Sequence, residues 1–257
     1  MILRRFSQSL KSQNWTAIWI EFVLLVAGVF VGIQVANWNE ERRDRLTEIE
    51  YLDRLRQEIA SMLPQVRASK ATLLERLGQI KELGTFLASG EGRDVMDERH
   101  CLAAGRSHIY VATIYYPPTI KELIATGRIL LIRNAGVRTA IMSFEQSYAD
   151  LSQLRTDIQI DRRVLARHYP ALINSGLSTD WSGARCDFKA MRKDQAFLND
   201  FTDNMRRYAA YSRALGEQQV QTLEALQKAL ASDPSLRAKE ASPVSAQAGL
   251  NATQGAD

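Results

Sequence analysis

Hydrophobic and polar positions alternate with three different rhythms along this chain. From Trp15 to Trp38 the sequence reads WTAIWIEFVLLVAGVFVGIQVANW, and residues 22–33 have no polar face at all. Those 24 residues carry one charge, Glu21. At the helical rise they span about 35 Å, enough for a bilayer core that needs about 20 apolar residues. Trp15 and Trp19 at one end and Trp38 at the other sit where interfacial aromatics belong. The pattern predicts one transmembrane helix over 15–38, preceded by a short tail, 1–14.

After Trp38 the rhythm becomes amphipathic. Leu52, Ile59, Val66, Leu73, Ile80 and Leu87 recur every seventh residue, with Leu55, Met62, Leu63 and Leu77 filling a second seam. This predicts a long helix leaving the membrane, kinked near Pro64 and stopping at Ser89-Gly90-Glu91-Gly92. Ile109–Tyr116 is β-branched and aromatic enough for a short strand, ended by Pro117-Pro118. Thr119 is placed to cap a helix over Ile120–Thr126 closed by Gly127, and Asn134 to cap another running through Leu165. Residues 171–186 read as a loop with an exposed Trp181. A last helix is expected from Phe188 to Leu230. From Asp233 to 257 no aromatic occurs and Ala, Ser, Gln and Gly dominate, which predicts a disordered tail. The fold class expected is mainly α: an N-terminal membrane helix, then an antiparallel helical bundle over 39–232. The heptads also suit pairing between chains.

Charge adds little to this picture. Thirty-three basic against 29 acidic residues leave a net +4, too small a surplus to point to nucleic acid. Its distribution bears on orientation. Arg4, Arg5 and Lys11 precede the span in a stretch without acids, while Arg42, Arg43 and Arg45 follow it among Glu40, Glu41, Asp44, Glu48 and Glu50. The N-terminus is therefore expected in the cytoplasm of a bacterial inner-membrane protein, with the main domain periplasmic. A cleaved signal peptide is the competing reading; Gln34 stands where cleavage after Ala36 would need a small residue.

Within the span, Gly28 and Gly32 form a GxxxG pair that Ala36 extends, and Glu21 falls on the same stripe. Helix–helix contact with a second copy or another membrane protein is one reading, and lipid-facing glycines the other. An ionisable group in a span is a functional candidate, yet Glu21 lies only about 9 Å inward from Trp15 by helical rise. Cys101 and Cys186 are the sole cysteines. In an oxidising compartment they suit a disulfide; two unrelated buried thiols are the alternative.

Glu21, the Gly32-Ile33 step and the exit Asn37-Trp38-Asn39-Glu40 resemble the opening of an uncharacterised family of bacterial single-span membrane proteins. A second stretch, Thr119-Ile-Lys-Glu-Leu-Ile-Ala-Thr-Gly127 with Leu130, Ile132 and Asn134, is similar to that family too. The resemblance covers about the first fifty residues and this central stretch. It implies a membrane anchor and a helical domain and carries no mechanism.

Catalytic constellations are not legible. His100, Cys101, His108, His168 and Cys186 lack the paired spacings of zinc ligands. There is no G-x-S-x-G, P-loop or G-x-G-x-x-G. Neither a catalytic residue, a cofactor nor a metal is expected. Tyr115-Tyr116-Pro117-Pro118 is either a recognition surface or a packed turn. The sequence thus favours a non-enzymatic envelope protein that senses, scaffolds or binds a partner. The alternative is a subunit of an ion-driven channel or motor using Glu21.

Overall fold

The computed structural model describes residues 15–160, 162–178 and 182–240. The expected tail 1–14, Trp181 and residues 241–257 lie outside them, as does the side chain of Trp15. The chain is mainly helical with one two-stranded sheet. It divides into two units, Met1–Glu50 and Tyr51–Asp257.

Helix α1 runs from Trp15 to Ser89 with Pro64 inside it. As expected of one long helix, helical backbone continues on both sides of Pro64, which is exposed. The stop falls where glycine permits it. Gly90 and Gly92 adopt φ of 83° and 79°, and Gly90 N–H closes on Phe86 O at 2.8 Å. A side chain on Gly90 would also strike the Arg192 guanidinium, 2.5 Å away.

Helix α2 (Glu98–Gly105) is capped by Asp97, whose carboxylate accepts from Arg99 N and His100 N. Ile109–Tyr116 then departs from the expected strand. Its backbone groups are met by side chains instead of a ladder. Ala112 N–H donates to Tyr211 Oη at 2.7 Å, Tyr115 N–H to Gln219 Oε1 at 2.7 Å, and Gln219 Nε2 donates to Thr113 O at 3.2 Å. The β-rich composition fills an extended segment, and two helices take the place of a partner strand.

Helix α3 is Pro118–Ala125, starting two residues before the expected Ile120, with Pro at its first turn. Thr119 is consequently not its cap; the side chain points to α1. Asn134 does cap α4 (Ala135–Asp157), accepting from Gly136 N at 2.9 Å and Val137 N at 3.3 Å. Helix α4 stops at Asp157 rather than continuing through Leu165, and a single turn, α5 (Leu165–His168), follows. Strands β1 (Ile173–Asn174) and β2 (Arg185–Cys186) pair antiparallel, Ile173 opposite Cys186.

The expected helix from Phe188 to Leu230 is divided. A turn, α6 (Phe188–Met191), precedes α7 (Gln195–Ser212), which Asp194 caps. A wide π turn over Arg213–Gln218 leads into α8 (Gln219–Ala231). The expected disordered tail starts too early at Asp233. Asp233 and Leu236 are buried, and Pro234–Glu240 forms α9, tied back by Lys239 Nζ to Asp53 at 2.7 Å.

Within the unit 51–257 the apolar side chains gather in two clusters. One joins Leu52, Ile59 and Val66 of α1 to Ile120, Ile141, Phe144, Leu223 and Leu230. The other joins Leu73, Ile80, Leu83 and Leu87 to Leu165, Phe197, Phe201, Tyr208 and Leu215. The heptad positions of α1 are therefore consumed by the chain's own helices.

Candidate functional site

Of the two units, the first presents a band of apolar side chains. From Trp19 to Trp38 every described position of α1 is exposed, Glu21, Gly28, Gly32 and Ala36 included. Open space surrounds Gly28 and Gly32: a Cβ added to either meets nothing within 4 Å. Their spacing of four, with Ala36 four further on and Glu21 seven before, keeps all four residues on one side of the helix. Such a stripe allows a second backbone to approach closely. The helix is long and apolar enough to cross a membrane.

In the second unit Cys101 and Cys186 form a disulfide, Cα–Cα 5.5 Å, that ties α2 to β2. His100, next to Cys101, is buried at 3% exposure with a carboxylate at each ring nitrogen. Asp97 Oδ1 lies 2.8 Å from Nδ1 and Glu82 Oε2 lies 2.8 Å from Nε2. This joins the start of α2 to α1. Burial opposes ionisation of Asp97, but hydrogen bonds from Arg99 and His100 overcome it and hold its carboxyl at about 2.

A polar network that sequence reasoning missed joins α1 to α3. Glu58 receives both the Thr119 N–H (3.1 Å) and the Thr119 hydroxyl (2.7 Å), and Arg54 Nε donates to that hydroxyl at 2.9 Å. Tyr51 Oη donates to Glu122 Oε1 at 2.7 Å and accepts from Arg128 Nη1 at 2.6 Å. The hydrogen bond from Tyr51 and the charge of Arg54 lower the Glu122 carboxyl below its ordinary range. Each of these groups has its partner, so the network orients α3. Only Thr119, taken for a cap, hinted at it; the partners are over sixty residues away in sequence.

The histidines and cysteines do not converge. Among the described residues no group of three His, Cys, Asp or Glu is placed to hold a metal ion. Tyr115-Tyr116-Pro117-Pro118 is a packed turn. Pro117 is buried, Tyr116 packs on Tyr148 and Phe144 with ring centroids 4.4 and 5.7 Å away, and its hydroxyl bonds Glu145.

Clefts open on the second unit among the described residues. One of about 580 Å³ lies between the end of α2, α5 and residues 175–178, and His108 and Arg167 line it. Another of about 360 Å³ is lined by Arg56, Glu224, Lys228 and Arg237. A third of about 230 Å³ lies between α1 and α2, with Glu75, Arg76, Arg99 and Arg106. The second and third mix both signs of charge, whereas no carboxylate lines the first among the described residues. No family model, curated protein or solved structure matches the chain.

Proposed function

We propose that this chain is a single-span bacterial inner-membrane protein with a cytoplasmic N-terminus, whose periplasmic helices form an antiparallel bundle that senses, scaffolds or binds a partner. Membership of the single-span family that its opening segment resembles is part of this reading. One observation carries it: from Trp19 to Trp38 every side chain is exposed, and all but Glu21, Gln34 and Asn37 are apolar. Water would penalise that band at about 25 cal/mol per Å² of apolar surface, and a bilayer removes the penalty. The disulfide Cys101–Cys186 agrees with an oxidising compartment. The stripe of Gly28, Gly32 and Ala36 supports association with a second copy or another membrane protein.

Alkaline carbonate extraction of native membranes tests the anchor. The chain should stay in the pellet, and its release into the supernatant sinks the reading. Orientation is tested on a C101S/C186S variant with one cysteine at exposed Leu130. A membrane-impermeant maleimide should label it once the outer membrane alone is opened. Labelling only after full lysis would reverse the topology. Glu21→Gln separates the ion-driven reading, which requires lost activity at normal folding and localisation.

A further inference from the structure

We propose that the cleft between the end of α2, α5 and residues 175–178 binds a small organic anion, a carboxylate carried on an apolar body. The site lies wholly within the unit 51–257 and holds whether or not the membrane reading does. Its walls divide by chemistry. Val164, Ala166 and Leu177 give an apolar lining, while Arg167, His108 and Ser178 give polar groups. At about 580 Å³ the cleft is within the size range of small-molecule sites.

Three observations say that the occupant is anionic. No carboxylate lines the cleft among the described residues. Among the described residues Arg162 and Arg167, both exposed, have no ion-pair partner, in contrast to Arg163, which faces Asp200 at 3.9 Å. The positive charge converges on one group: burial first, then Arg162 and Arg167, push His108 below its ordinary range, against a hydrogen bond with Gly105 O. A neutral His108 also keeps Nδ1 buried and without a hydrogen-bond partner. A buried polar nitrogen in that state is costly, and a hydroxyl on the ligand body, donating at the inner wall, would satisfy it. Arginine holds a carboxylate through paired N–H groups, which suits the rim. The apolar wall then favours an organic body over a bare inorganic ion.

The test is calorimetric titration of the full chain in non-ionic detergent with sodium benzoate, acetate and inorganic phosphate as probes. Benzoate should bind saturably at one per chain, with acetate and phosphate at least about tenfold weaker, since they lack a body to bury. Arg167→Ala should weaken benzoate about tenfold, and Arg167→Lys by less. Arg162→Ala, at an exposed position outside the lining, should weaken it through lost charge alone. Arg237→Ala, in another cleft, should change nothing. The proposal fails if benzoate does not saturate, or if binding survives both Arg167→Ala and Arg162→Ala in chains with wild-type melting. It also fails if phosphate or acetate binds as tightly as benzoate.

Discussion

Helix α1 contains two stretches of hydrophobic residues with opposite fates. From Trp19 to Trp38 the large apolar side chains are 48–66% exposed. From Leu52 to Leu87 the residues of the heptad are at most 5% exposed. Both stretches are helical, so backbone propensity does not separate them. The rhythm does. In the second stretch apolar residues recur on one side, and the rest of the chain supplies a matching surface. In the first they occupy all sides, and no single neighbouring helix could cover them. A stripe is completed by the chain itself, whereas a band needs an environment.

Substitutions in the two stretches put that contrast to the test. Ile80→Ala, in the buried stretch, should cost about 2–5 kcal/mol of unfolding free energy. Leu25→Ala, in the exposed band, should change it by under about 0.5 kcal/mol. Urea titrations at constant detergent decide this, and equal costs would erase the distinction. Replacing both Cys101 and Cys186 by serine should cost about 2–4 kcal/mol, because the bond closes a long loop in the unfolded chain. The same titration with and without reductant measures it.

Tyr211→Phe removes the partner of the buried Ala112 N–H and should cost about 1–3 kcal/mol. A cost near zero would mean the 109–116 segment finds another partner. Asp97 has a smaller effect. With its carboxyl at about 2 against an ordinary 3.8, its ionised form contributes stability above the ordinary value. That contribution disappears as pH falls from 3.8 toward 2. Solvent screening keeps it to about 1 kcal/mol or less. Asp97→Asn should flatten the acid side of the melting-temperature profile. Gly28→Leu/Gly32→Leu should leave stability of the second unit within about 0.5 kcal/mol yet reduce crosslinking through the span. Unchanged crosslinking would remove the small-residue stripe from any interface.

Much of the fold was legible because its signals are local. The Gly90 and Gly92 stop, the Asn134 cap and the α1 seam each need only a few neighbouring residues. Errors arose where a distant group outbid a local preference. Ile109–Tyr116 has the composition of a strand, but Tyr211 and Gln219 take its hydrogen bonds. Thr119 has the chemistry of a cap, but Glu58 claims both its N–H and its hydroxyl. Leu236 is the only large apolar residue in the sequence just after Asp233, too little to predict burial until Lys239 and Asp53 are seen to meet. The candidate cleft was less legible still. His108 was noticed only as a failed metal ligand, and no local pattern singled out Arg162 and Arg167.

The amino-acid order alone establishes the apolar band, the amphipathic helix after it, its stop at Gly90 and Gly92, and the Asn134 cap. These follow from periodicity and from backbone limits acting over one or two turns. Which of two contending partners a polar group takes is settled only when distant segments pack. Burial makes an unpaired donor costly, so the nearest compatible partner in space prevails over the nearest in sequence. The pairing of Glu58 with Thr119 and the enclosure of His100 by Asp97 and Glu82 both belong to that second kind.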